Sequence, residues 1–123
     1  MAGQGQTGWR RIVSATFNSF AGLRAAWKHE AAFRQECVLS LILAPAVFWV
    51  GRTTLEWLLL IGSVVLVLIV ELLNTAVEAT VDRVGLDHHK LSGRAKDLGS
   101  AAVLVALAFT ALTWGLIGWE NLS

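Results

Sequence analysis

The sequence predicts an all-α membrane protein with three transmembrane helices and an N-terminal amphipathic helix on the membrane surface. Of its 123 residues, 55% are hydrophobic and only 15% are charged, whereas soluble domains contain about 25% charged residues. Few polar loops and a single proline argue against a β-rich fold. The length fits one domain over 1–123. The net charge of +1 gives no indication of nucleic-acid binding.

The first predicted element is a surface helix over 9–36. Its large apolar side chains recur every three or four positions, and basic residues lie between them, which is typical of a helix lying on lipid headgroups. A helix of a soluble core would show a similar period, but so much of the remaining chain is hydrophobic that a membrane is favoured. The apolar positions are Trp9, Val13, Phe17, Phe20, Leu23 and Trp27.

Three apolar stretches follow, and each is predicted to cross the membrane. The first is continuously apolar only over 37–50, shorter than the roughly 20 residues that a crossing requires, so it is predicted to extend back to about residue 31. The second covers 55–82 and the third 98–119. A turn joins the first two spans, and a polar connection over 83–97 joins the last two.

The basic residues predict the orientation. Five Lys or Arg residues lie in the N-terminal segment, four in 83–97, one in 51–56 and none after the third span. Basic loops remain on the cytoplasmic side. We therefore expect a multi-pass membrane protein with a cytoplasmic N-terminus and a C-terminus on the opposite side of the membrane.

A polar stripe runs along one face of the second span. At about 100° per residue, Glu78 and Asp82 lie within roughly 20° of Glu71, and Asn74 lies within roughly 60°. Ionised groups cost several kcal/mol each in hydrocarbon and are found there mainly for function. A single three-helix subunit would leave this face toward lipid, so an oligomer is expected. Small residues in the third span allow close helix approach, as in the pairs Ala102/Ala106 and Ala111/Gly115.

The residues alone leave three interpretations of the stripe open. Carboxylates beside Lys96 and other basic groups suit Mg²⁺ with a polyphosphate, because Mg²⁺ binds one or two carboxylates together with phosphate oxygens. A row of membrane carboxylates also suits a proton relay. The third interpretation is a hydrogen-bonding stripe that serves only assembly.

Three stretches distinguish these interpretations: Glu30-Ala-Ala-Phe-Arg-Gln-Glu36, the segment 71–83 and the segment 91–102. Over these stretches, and over nearly the whole chain from about 8 to 119, the sequence resembles the bacterial integral-membrane diacylglycerol kinase family. The resemblance implies a homotrimer of three-span subunits, with sites shared between subunits. It also implies transfer of a phosphoryl group from MgATP to the primary hydroxyl of diacylglycerol, with Mg²⁺ as cofactor and phosphatidic acid as product.

The resemblance also implies roles for individual residues. Glu71 matches the catalytic base, Asn74 an amide that organises the site, and Glu30 and Glu78 the metal ligands. The implied ATP-binding residues are Arg11, Asn18, Glu30, Glu78, Asp87, His88, His89, Lys96 and Asp97. The implied lipid-binding residues are Ala32, Phe33, Arg34, Gln35, Glu36, Glu71 and Ser100.

Two alternatives to this function are kept. One is a kinase of the same fold that acts on a polyprenol such as undecaprenol, although the stretches around Glu30 and Leu91 favour diacylglycerol. The other is a non-enzymatic membrane subunit that handles protons or ions.

Overall fold

Four helices make up the part of the chain that the structure describes. The computed structural model describes residues 7–85 and 89–123. The helices are α1 (Gly8–His29), α2 (Ala31–Val50), α3 (Thr54–Val84) and α4 (Lys90–Leu122). The last three are each long and apolar enough to cross a membrane, so the predicted all-α, multi-pass architecture is confirmed.

The chain turns a corner between α1 and α2 at Glu30. This residue has an extended backbone, with φ −116° and ψ 107°, so the helix predicted over 9–36 ends at His29 instead. The last carbonyl groups of a helix lack partners within the helix. Here the Arg34 guanidinium serves as the hydrogen-bond donor for two of these carbonyl groups. Its Nη1 atom donates to Trp27 O at 2.7 Å and to Lys28 O at 3.2 Å.

The second helix begins at Ala31, as the length argument predicts, and α3 begins after a short turn. The Thr53 side chain accepts a hydrogen bond from Glu56 N at 3.1 Å and donates one to Glu56 Oε2 at 3.2 Å. This reciprocal arrangement resembles a capping box, which satisfies backbone donors in the first turn of a helix.

The far end of α4 is tied to this turn by Asn121. Its amide donates to Val50 O at 2.8 Å and to Glu56 Oε1 at 2.5 Å, and Arg52 donates to the Asn121 carbonyl. The three spanning helices are therefore joined at one end by a buried amide, which is only 7% exposed.

The fourth helix begins at Lys90, so much of the connection predicted over 83–97 is helical. The His89 side chain caps it by accepting from Leu91 N at 3.0 Å. The polar residues over 90–97 indicate where the chain leaves the apolar region of the membrane. The helix nevertheless continues through them. Lys96, Asp97 and Ser100 consequently lie on the first turns of α4.

The closest packing is between α3 and α4, and α2 packs mainly on α3. Thr110 on α4 donates to Ser63 O at 3.0 Å, and the Trp114 indole donates to Leu60 O at 3.2 Å. Such hydrogen bonds between helices hold membrane bundles together where lipid weakens the hydrophobic driving force. The interior that a single subunit encloses is small, and most large apolar side chains remain exposed.

Candidate active site

Three carboxylates from three parts of the chain lie within electrostatic reach of Glu71. This residue is on α3 and only 8% exposed. Glu78 on α3, Glu30 at the corner and Glu36 on α2 all lie close enough to Glu71 to interact with it electrostatically. The predicted stripe on α3 is therefore extended by acidic groups from the corner and from α2, and the predicted base and metal ligands lie in one region.

Asn74 links two parts of this cluster. Its Nδ2 atom donates to Glu78 Oε1 at 3.2 Å, so the amide orients a carboxylate one turn further along α3. Its Oδ1 atom is buried without a hydrogen-bond partner in the described residues, and so is Glu36 Oε2. Buried polar atoms nearly always have partners, which makes these two oxygens available acceptors within the site.

Lys96 brings a positive charge to the edge of the cluster. Its Nζ atom lies 2.7 Å from Asp82 Oδ1, and it also interacts electrostatically with Glu78. The sequence analysis places Asp82 on the polar stripe but gives it no role. The structure shows that Asp82 holds the lysine beside the carboxylates. Asp97 and Ser100 are exposed on the following turn of α4.

A mainly apolar groove of about 700 Å³ lies between α1 and α3, with Glu30 at its wall. Its α3 side is made of small and apolar residues such as Ala76 and Ala79. Arg11 and Asn18 are exposed on α1. At about 100° per residue they share a face with His29, which lines the groove. Neither Arg11 nor Asn18 is among the residues that line the groove, and their assignment to the nucleotide stays a prediction.

The predicted lipid-binding residues on α2 have different surroundings. Ala32 and Gln35 are exposed, whereas Phe33 is 6% exposed and belongs to the interior. The Arg34 side chain is engaged with the carbonyl groups at the end of α1, a structural role that the sequence analysis does not foresee.

The connection contributes one described residue. His89 is exposed and caps α4 through its Nδ1 atom, so one of its two ring nitrogens is engaged by a backbone group. Asp87 and His88, also predicted to bind ATP, lie outside the described residues.

The donor set fits Mg²⁺ bound together with a substrate. Within residues 7–85 and 89–123, no three His, Cys, Asp or Glu side chains converge closely enough to hold a metal by themselves. Mg²⁺ is usually bound by one or two carboxylates plus waters and substrate phosphates. Carboxylates that repel one another suit a cation that arrives with its phosphate ligands.

The fold and the site together define an integral-membrane enzyme whose charged groups gather toward one end of its spanning helices. The profile of the prokaryotic diacylglycerol kinase family matches residues 17–118, and the chain belongs to that family. Curated relatives named diacylglycerol kinase align with this chain over most of their length. The diacylglycerol kinase of Escherichia coli (strain K12) is 51% identical over 94% of both chains. That of Pseudomonas aeruginosa is 52% identical over 93% of both.

A more distant relative, the diacylglycerol kinase of Helicobacter pylori (strain ATCC 700392 / 26695), is 42% identical over 88% of this chain and 84% of its own. The resemblance found in the sequence is thereby confirmed, and the chain is a kinase. The non-enzymatic interpretation of the carboxylate stripe is not supported.

Proposed function

We propose that this protein transfers the γ-phosphoryl group of ATP to the primary hydroxyl of diacylglycerol, giving phosphatidic acid and ADP. The observation that carries the proposal is the carboxylate cluster around Glu71, with Lys96 at its edge, in a chain of the prokaryotic diacylglycerol kinase family. A lipid alcohol reaches this position from the bilayer, and ATP reaches it from water.

Glu71 is the general base of the proposed reaction. It accepts the proton of the lipid hydroxyl as the oxygen forms a bond to the γ-phosphorus, and the bond from that phosphorus to the β–γ bridging oxygen breaks, releasing ADP. Phosphoryl transfer depends mainly on positioning and on neutralising charge. A buried base on a helix meets the first requirement, since Glu71 is only 8% exposed.

Glu30 and Glu78 would hold Mg²⁺ together with the phosphate oxygens, and Asn74 keeps the Glu78 carboxylate in place. Bound Mg²⁺ neutralises charge on the triphosphate. Lys96 and Asp97 on α4, with Arg11 and Asn18 on α1, are proposed to contact the nucleotide. Asp87, His88 and His89 of the connection are proposed to do the same.

The groove between α1 and α3 is a suitable approach for the lipid. Its apolar lining fits acyl chains and the glycerol backbone, and Glu30 and Ser19 add polarity to its wall. The hydroxyl is proposed to reach Glu71 from this groove, whose lining includes Leu72, the next residue of α3. Ser100 and the segment 32–36 are proposed to contribute to lipid binding from α4 and α2.

Exposed apolar surface supports a proposal for the arrangement in the membrane. Trp9, Phe17 and Phe20 on α1 are 76%, 71% and 61% exposed, which suits a helix lying in the lipid interface. We propose a homotrimer in the bacterial inner membrane, with the carboxylate end cytoplasmic and the C-terminus periplasmic. Association would cover small residues of α4 and complete the walls of each site.

Purified protein in detergent–lipid micelles tests the function directly. With ATP labelled at the γ-position, we expect labelled phosphatidic acid from diacylglycerol. Product from undecaprenol alone would favour the polyprenol kinase instead. Absence of any labelled lipid from a correctly folded sample would refute the proposal.

A further inference from the structure

Gly99 on α4 lies directly against the Asn74 side chain of α3. A Cβ atom added at Gly99 would clash with Asn74 Oδ1 and would lie 3.2 Å from Asn74 Cγ. The same added atom would be 3.8 Å from Asn74 Cβ, which is an ordinary van der Waals contact. The amide of Asn74, and not its Cβ, therefore occupies the space that only a glycine leaves free.

The contact with Gly99 is made by the Asn74 Oδ1 atom, which is the amide atom that has no hydrogen bond. Asn74 Nδ2 is held by Glu78 at 3.2 Å, whereas Oδ1 is buried without a partner in the described part of the chain. An unpartnered buried oxygen is costly, so a side chain free to rotate would turn that oxygen elsewhere. The close backbone of α4 at Gly99 limits this rotation, and the amide is kept facing Glu78.

We propose that Gly99 is a positioning residue for the phosphoryl-transfer site. Because it lacks a Cβ atom, the Asn74 amide packs against α4 and holds the Glu78 carboxylate in the orientation that binds Mg²⁺ with ATP. The inference rests on the proposed function, since it takes Glu78 as a metal ligand. Neither the periodicity nor the motifs of the sequence assign Gly99 a role.

Gly99→Ala tests the proposal against a matched control. Gly62 lies in the middle of α3, and a Cβ atom added there would meet nothing within 4 Å. Gly62→Ala therefore changes helix propensity without a clash. We expect Gly99→Ala to raise the Mg²⁺ concentration for half-maximal activity by about 10- to 100-fold, as loss of a group that orients a metal ligand usually does. Gly62→Ala should leave this concentration unchanged.

A double-mutant cycle provides a second readout that needs no catalysis. In the Asn74→Ala background, an alanine at position 99 faces only the 74 Cβ atom, at a tolerated distance. Gly99→Ala should therefore lower the Tm of the protein in micelles when Asn74 is present and have little effect when residue 74 is alanine. The cycle remains informative even if the single variant folds poorly.

Two results would overturn the proposal. One is an equal loss of Tm in both backgrounds, which would place the clash elsewhere. The other is a folded Gly99→Ala variant with an unchanged Mg²⁺ requirement. Failure of the proposed function is recognised separately, because the unmodified protein would then form no phosphatidic acid while the Tm cycle still reported on the contact.

Discussion

The Nζ atom of Lys96 lies 2.7 Å from Oδ1 of Asp82, and this pair joins the last turns of α3 to the first turns of α4. Both side chains are about half exposed, at 44% and 50%. Exposed ion pairs contribute little to stability. The pair matters more for position, because it keeps an ammonium group near Glu78.

Replacing Lys96 should therefore impair nucleotide binding more than folding. We expect Lys96→Met to raise the KM for MgATP by roughly ten- to a hundredfold, because hydrogen bonds to charged groups are among the stronger ones. Lys90→Met, at the exposed start of the same helix, is the control. Similar KM values for both variants would show that Lys96 contributes only general positive charge.

Glu71→Gln should abolish turnover and preserve nucleotide binding. The amide keeps the size of the side chain but cannot accept the hydroxyl proton, and general bases contribute about 10²- to 10⁴-fold to rates. Product formation and binding of an ATP analogue are to be measured on the same sample. Weakened binding with unchanged single-turnover chemistry would remove Glu71 from the role of base.

Truncating either proposed metal ligand should change the Mg²⁺ dependence. For Glu30→Ala and Glu78→Ala, we expect the Mg²⁺ concentration at half-maximal activity to rise by at least about tenfold, because even groups that only orient a ligand have effects of that size. Glu120→Ala, with an exposed carboxylate at the other end of α4, is the control. A Mg²⁺ titration that superimposes on that of the unmodified protein would contradict the assignment.

Asn121→Ala should destabilise the bundle without altering the site. The substitution leaves Glu56 Oε1 without this donor. It also removes the hydrogen bond to Val50 O, and a typical hydrogen bond contributes about 0.5–1.5 kcal/mol. The free energy of unfolding in micelles is the measurement, with the neighbouring Glu120→Ala as control. An equal stability of the two variants would mean that the amide does not hold the turn.

The sequence predicts the architecture well because long apolar stretches and helical periodicity are local signals. It places Glu71, Asn74 and Glu78 on one face of α3, and their hydrogen bond and electrostatic contacts agree. It misplaces the end of α1, because apolar periodicity continues past Glu30. The corner there depends on a guanidinium that reaches back from Arg34, and a pattern of residue types does not reveal such a contact.

The sequence does not predict the early start of α4 or the role of Gly99, for related reasons. Polarity over 90–97 shows that the chain leaves the apolar region, but a helix can continue into water when its first turn is capped, as His89 does here. The Gly99–Asn74 contact joins two helices that are distant in sequence. The trimer and the membrane orientation remain predictions.

The central claim is that ATP and the lipid alcohol meet at the carboxylate end of α3, on the cytoplasmic side. Single cysteines test this most directly, in a Cys37→Ala background that removes the one native thiol. Thr80→Cys lies near the carboxylate end on the opposite helix face, and Thr54→Cys lies at the other end of α3. With an impermeant thiol reagent outside intact inner-membrane spheroplasts, we predict labelling at 54 and protection at 80. Labelling at 80 with protection at 54 would place the site where cytoplasmic ATP does not reach it.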